Sequence, residues 1–419
     1  MAFALGDGEM RMNWSDGSSR MDVRARGTIV FSDNLADVQS VSDGGLLTIR
    51  DWSTLIPHTV ELRGDGGRIT RKYYVGGIER PWSDEAQHLL AEELPLLVRR
   101  SGLGAESRVK AILAREGVGG VLAEITRLDG DYVRRIYFAQ LVNQAPLDPA
   151  TVIPVLQQVG RQMTSDFERG QVLRLIANKV PLDESAAAEY VKAVDGMKGD
   201  FERRRALTAL FEAHPHAPGV ANLAIRSAGD MSSDFERGEV LRTALANGAI
   251  GDSQALFAAL GRMDSAFEKH RVLTQVMQQP SPSLDLKKGV LAAAASMASD
   301  FEAAGVLSTF LQKFGVDPTV EQPFFAATAA LHGDFERGKL LTAVAARGPL
   351  SPTGLRALLA SVGGMSSDFE RANVLLAVVR AQKLDETSRE AFLKAADTIK
   401  SQMEQNRVLA ALVRTERHQ

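Results

Sequence analysis

The side chains best equipped for chemistry in this sequence belong to a short acidic–aromatic–acidic–basic motif that keeps returning. It reads Asp166-Phe167-Glu168-Arg169, Asp200-Phe201-Glu202-Arg203, Asp234-Phe235-Glu236-Arg237, Asp334-Phe335-Glu336-Arg337 and Asp368-Phe369-Glu370-Arg371. Ala266-Phe267-Glu268-Lys269 and Asp300-Phe301-Glu302-Ala303 are variants. Two carboxylates beside a guanidinium could act as an acid–base pair. An enzyme needs such a constellation once, whereas a structural unit is copied. The other competent groups are scattered. The seven histidines, His58, His88, His214, His216, His270, His332 and His418, form no His-Glu-x-x-His arrangement. His214-Pro215-His216 lacks a carboxylate companion, so an inter-helix loop accounts for it better than a metal site. There is no cysteine, which removes disulfides, thiolate metal sites and cysteine nucleophiles. No Gly-x-Ser-x-Gly elbow and no Walker A loop occur. The chain reads as a non-enzyme with no catalytic residue, metal or cofactor.

The elements that carry the motif repeat with it. Its aromatic falls at Tyr132, Phe167, Phe201, Phe235, Phe267, Phe301, Phe335 and Phe369, with Met403 in the same place, at intervals of 35, 34, 34, 32, 34, 34, 34 and 34. A fixed period of this size is the signature of a solenoid. Apolar residues follow five, six and nine positions after the aromatic, as in Val172, Leu173 and Ile176, and define one helix face. A break carrying Gly or Pro comes next in most copies, then a second apolar helix. That helix ends four residues before the next aromatic, at Met163, Met197, Met231, Met263, Met297, Leu331, Met365 and Ile399. The unit is helix A, loop, helix B, turn. The tetratricopeptide pattern is missing, so the units are closer to short HEAT-type antiparallel pairs. A degenerate earlier copy is expected at Ala105–Val109.

Each letter of the motif has a structural reading. Serine or glycine precedes most copies, and Ser165-Asp166-Phe167-Glu168 fits a Ser-x-x-Glu capping box, in which hydroxyl and carboxylate satisfy two amides reciprocally. The aspartate at the first helical position faces the positive end of the helix dipole. The phenylalanine is expected to pack between neighbouring units. The basic letter is Arg169, Arg203, Arg237, Lys269, Arg337 and Arg371. Stacking would bring these six into a column, either an ion-pair ladder with carboxylates of adjacent units or a basic interaction stripe. The in-register methionines read as core filler.

The first 82 residues differ. They hold all three tryptophans, Trp14, Trp52 and Trp82, and turn clusters at Ser15–Ser18, Ser42–Gly45 and Arg63–Gly67. Alternating segments such as Met21–Arg26, Leu46–Arg50 and Arg68–Val75 lie between them and read as antiparallel strands. About six strands are expected, in a sheet or sandwich with one face covered. Gly64-Asp65-Gly66-Gly67 reads as a hairpin turn, and Arg63-Gly64-Asp65 is too short to signify adhesion. At Ser83, a candidate N-cap, helical patterning begins. The fold class is therefore α+β, with an antiparallel β domain over 1–82, a helical linker and degenerate first repeat over 83–130, and an α-solenoid over 131–419.

Composition bounds the partners. The formal charge is −3, a poor footing for a phosphate-binding protein, so nucleic acid is not expected. No apolar run approaches the roughly 20 residues needed to span a bilayer, and Met1–Asp7 has neither the basic nor the apolar part of a signal peptide.

Several stretches also carry a family resemblance. Gly27–Asp33 and Ala36–Gly45 resemble a strand–turn–strand signature of bacterial extracytoplasmic regions. They are followed by Ser83–Ala86, Leu94–Arg100, Gly104–Val109 and Gly130–Phe138. The series is similar to the region trailing the peptidase domain in some bacterial antirepressors of the beta-lactam-sensor metallopeptidase type, and to stand-alone relatives. The peptidase's zinc motif is absent here. The resemblance covers nearly the whole chain and implies a sensing or protein-interaction role outside the cytoplasmic membrane, in the periplasm. Together these readings point to a scaffold binding a protein or peptide, because stacked helix pairs create extended surfaces. A sensor domain reading a small ligand or cell-wall fragment through its β domain is one alternative, and a self-assembling structural protein is another. The oligomeric state is left open.

Overall fold

The structure is a computed structural model that describes residues 2–15, 20–32, 34–52, 55–215, 217–248, 250 and 252–417. Residues 16–18 of one expected turn, together with His216 and His418, lie outside the described residues. The chain forms two compact units, 1–206 and 207–419.

The first unit opens with seven strands among its described residues: β1 (Ala2–Ser15), β2 (Arg20–Phe31), β3 (Val38–Val41), β4 (Leu46–Asp51), β5 (His58–Asp65), β6 (Arg68–Val75) and β7 (Ile78–Arg80). They form one antiparallel sheet in the order β1-β2-β4-β5-β6-β7, with β3 also on β2. The alternation expected from sequence holds. Met21, Val23 and Ala25 are buried while Arg24 and Arg26 are exposed. Gly66 and Gly67, with φ of 56° and 74°, make the tight turn between β5 and β6 that a paired left-handed conformation requires.

A single helix, α1 (Asp84–Ser101), covers the sheet. Its Ala86, Leu90, Leu94, Leu97 and Val98 join the core of Ile29, Phe31, Leu47, Ile49, Val60 and Leu62. Ser83 is its N-cap, but the serine side chain makes no capping hydrogen bond. Next come α2 (Ala105–Thr126), broken at Gly117, and then α3 (Asp131–Gln144), α4 (Pro149–Gln162), α5 (Asp166–Lys179) and α6 (Glu184–Asp195). Odd-numbered helices are the A helices and even-numbered ones the B helices. In this unit α1 packs on α3 and α3 on α5, while α2 packs on α4 and α4 on α6.

Helix α7 (Asp200–Ala213) spans the boundary between the units. The second unit continues with α8 (Pro218–Gly229), α9 (Asp234–Ala246), α10 (Ser253–Gly261), α11 (Ala266–Met277), α12 (Leu284–Ala295) and α13 (Asp300–Phe314). It ends with α14 (Glu321–Ala329), α15 (Asp334–Arg347), α16 (Pro352–Gly363), α17 (Asp368–Ala381), α18 (Glu386–Ala396) and α19 (Gln402–Glu416). A helices again stack on A helices from α9 to α19, and B helices on B helices from α8 to α18. The methionine position is buried in every copy, from Met163 at 0% to Met297 at 7% exposure, so these residues are core.

Candidate interaction surface

The motif splits into an inner and an outer half. On the inner half, each serine cap accepts from the amide three residues on: Ser165 from Glu168, Ser265 from Glu268, Ser367 from Glu370. The reciprocal arm of the expected capping box is replaced. The cap residue's own amide donates to the aspartate of the preceding repeat. Asp131 Oδ2 accepts from Thr164 and Ser165, both at 2.6 Å, and Asp300 Oδ2 from His332 and Gly333 at 3.0 and 2.6 Å. Asp166, Asp234, Asp334 and Asp368 do the same. Each aspartate thus starts its own helix and fastens the next turn. Burial pushes the Asp131 carboxyl up, but the Ser165 amide, the Arg134 guanidinium and Thr164 outweigh it and hold the group below the usual carboxylate range.

The basic column also belongs to the inner half, so it is not the exposed stripe considered from sequence. Arg169, Arg203, Arg237 and Arg371 are buried, and Lys269 and Arg337 are half-buried. Nor is the column mainly a ladder of ion pairs between units. Its carboxylate partners are chiefly the motif's own aspartates, as in Arg237–Asp234 at 2.9 Å and Arg371–Asp368 at 3.1 Å, while Arg203 also reaches Asp195 of the preceding B helix at 3.3 Å. Its links outward go to carbonyls at the ends of B helices. Arg371 donates to Met365 O and, at 2.8 Å, to Thr398 O. Arg337 donates to Leu331 O and, at 3.3 Å, to Gly364 O; Arg169 to Met163 O and Ala193 O. One guanidinium therefore caps the C-termini of two successive B helices, where the dipole favours a cation. Arg134 has the same role and the same register, bonding Leu128 O and Gln162 O. The glutamate completes the inner half by pairing with the previous A helix: Glu202 with Arg174 at 2.9 Å, Glu268 with Arg242 at 3.1 Å, Glu302 with His270. At Gly170 a Cβ would stand 2.7 Å from Glu202 Oε2, so a larger residue would have to displace the carboxylate that pairs with Arg174.

The outer half is the aromatic. It does not pack between units as expected. Tyr132 is 56% exposed, Phe235 50%, Phe301 72% and Met403 74%. Among the described residues, nine of the fourteen large exposed apolar side chains occupy this one register position. Helix geometry gives the reason. At about 100° per residue, the core positions five, six and nine on lie near 140°, 240° and 180° from the ring, and the arginine two on lies near 200°. The ring points away from the core and the arginine towards it.

In the second unit the row borders a groove of about 750 Å³ on α15, α17 and α19. Phe335 and Phe369 line it together with Lys339, Arg380, Arg407 and Arg414, and Glu370 is its one carboxylate. Arg407 lies 5.9 Å from the Phe369 ring centroid and pairs with Glu404 at 3.0 Å. Among the described residues, Lys339, Arg380 and Arg414 are exposed and meet no carboxylate within ion-pair distance.

The first unit holds a second concavity of about 500 Å³ that sequence reading did not find. Asp51, His58 and Tyr73 come to it from the sheet, and Asp84, Glu85, His88 and Glu92 from α1. His58 Nδ1 lies 2.6 Å from Tyr73 Oη. Burial, with Glu85 nearby, pushes the Tyr73 phenol up to about 12. Behind it, burial and then Asp51 push the Glu93 carboxyl up to about 7, and its Oε2 has no hydrogen-bond partner. No sequence signal could have joined His58 to His88, because the sheet–helix packing alone makes them neighbours. No group of three or more potential ligands is arranged for a metal among the described residues. The tryptophans do not gather around a ligand pocket. Trp14 and Trp82 pack on the sheet core, and Trp52 lies under Arg20 and Arg50. No described helix is long and apolar enough to cross a membrane. No protein-family model matches this sequence, and no curated protein matches it.

Proposed function

We propose that this chain is a non-enzymatic scaffold that binds a protein or peptide segment on the A helices of its compact units, with the exposed ring of the motif as the recurring contact. The observation that carries this reading is the concentration of large exposed apolar side chains at a single register position, nine of the fourteen among the described residues. Scattered exposed apolar residues need no explanation, but a row of them marks an interaction site. Rigid aromatic rings are also the side chains that most often dominate binding energy. The inner half of the motif supports the reading from the other side. Asp, Glu and Arg join the repeats, whereas the ring adds only surface contacts such as Arg407 over Phe369, yet nearly every copy keeps it.

Site-specific photocrosslinking in cells tests this. A crosslinker placed at Phe301 is expected to capture a discrete partner, and one placed at Lys394, exposed on the B-helix α18, is not. Equal capture at both positions, or capture only of further copies of this chain, overturns the proposal.

A further inference from the structure

The groove on α15, α17 and α19 narrows the class of partner, in an inference that rests on the scaffold reading above. We propose that this groove binds an acidic peptide segment in extended conformation, with an apolar side chain at every third residue. Three observations carry it. First, the exposed Phe335 and Phe369 stand on consecutive A helices and offer two apolar contacts in line. Second, Lys339, Arg380 and Arg414 meet no carboxylate among the described residues, and Arg407 lies over the Phe369 ring. With Arg407 paired to Glu404, the three remaining cations against Glu370 still leave the groove with an excess of positive charge, although the whole chain carries −3. Third, the spacing of packed helices fits such a chain. Neighbouring axes stand about 8–10 Å apart. A polyproline-II segment rises about 3.1 Å per residue with three residues per turn, so side chains on one face recur about every 9 Å. One apolar side chain then meets each A helix, while the residues between them point carboxylates at the cations.

A single-stranded nucleic acid would also stack on rings and pair with guanidiniums. The peptide is favoured because the chain as a whole carries −3, whereas a protein that neutralises a run of phosphates is usually basic.

The test uses the full chain and fluorescent nonapeptides. One is Leu-Asp-Glu-Phe-Asp-Glu-Leu-Asp-Glu, the second has lysine at every acidic position, and the third keeps the composition with apolar residues at every second position. A twelve-nucleotide oligouridylate is the fourth probe. The first peptide is expected to bind best and to weaken with salt. The double substitution R380E/R414E is expected to weaken it by about tenfold or more, and F335S/F369S by a similar factor. These positions are exposed, so circular dichroism should be unchanged. Equal binding of the lysine peptide, indifference to R380E/R414E, absence of binding by the first peptide, or tighter binding of the oligouridylate each overturns the acidic-peptide assignment. The scaffold reading is separable from it: if crosslinking at Phe301 persists while the acidic peptide fails, only the partner class falls.

Discussion

The sheet and the repeats of this chain treat their rings in opposite ways. Phe31 and Tyr73 are 0% and 1% exposed under α1, whereas Phe301 and Phe335 are 72% and 64% exposed. Register decides burial here, and residue type does not. A strand offers two faces, and one helix covers one of them. An A helix fills its inner face with its own aliphatic residues and a guanidinium, so the ring has only the outer face.

Substitutions in the two regions should differ in cost. The largest effect is expected from Gly64→Ala in the sheet. A Cβ there would stand 2.2 Å from Ser42 O and 2.3 Å from Val41 O, both backbone atoms that cannot swing aside. A loss of about 3 kcal/mol is expected. It is read from urea unfolding followed by tryptophan fluorescence, which reports this region because Trp14, Trp52 and Trp82 all lie in it. A loss below about 1 kcal/mol would show that the sheet relaxes as freely as a surface.

Asp300→Ala should come next. It leaves the amides of His332 and Gly333 without their acceptor, at a cost of about 2 kcal/mol. Hydrogen exchange should rise at those two amides first. If exchange there is unchanged, the aspartate is not the fastener between repeats.

A smaller effect concerns pH. Glu93 has its folded pKa at about 7, above the unfolded value of about 4.5, so the folded state holds this proton more tightly. Its contribution is fully present below pH 4.5 and is lost as pH rises through about 7. The tryptophan-detected melting midpoint should fall by ~3 °C over that window. Glu93→Gln should remove this dependence, and an unchanged slope in that variant would sink the assignment.

The smallest effect belongs to the ring beside the most costly inner residue. Phe301→Ser is expected to change stability by no more than about 0.5 kcal/mol, although it adjoins Asp300. A loss comparable to that of Asp300→Ala would mean that the ring is structural after all, and the interaction row would lose its basis.

Much of this was legible in the residues. The period of the motif, the two-helix unit, the serine caps, the buried methionines and the strand alternation follow from local rules of spacing, and local rules survive folding. The outward ring was legible too, because the positions of Val306, Leu307 and Phe310 place Phe301 on the opposite side of α13. Reading phenylalanine as core by type hid what the helical wheel gives. Arg134 could have been placed in the basic column by the same count.

Other features are absent from any local pattern. That Asp166 receives the amides of Lys198 and Gly199, that Arg371 reaches Thr398 O, and that His58 shares a cavity with His88 depend on which segments packing brings together. The groove of Lys339, Arg380 and Arg414 likewise exists only once three A helices lie side by side. Local spacing along the chain is enough to set the unit, its period and the outward turn of its ring. Which polar groups became joints and which stayed at the surface follows from the stacking, because hydrogen bonds and ion pairs between repeats are set by stacking distance rather than by position along the chain.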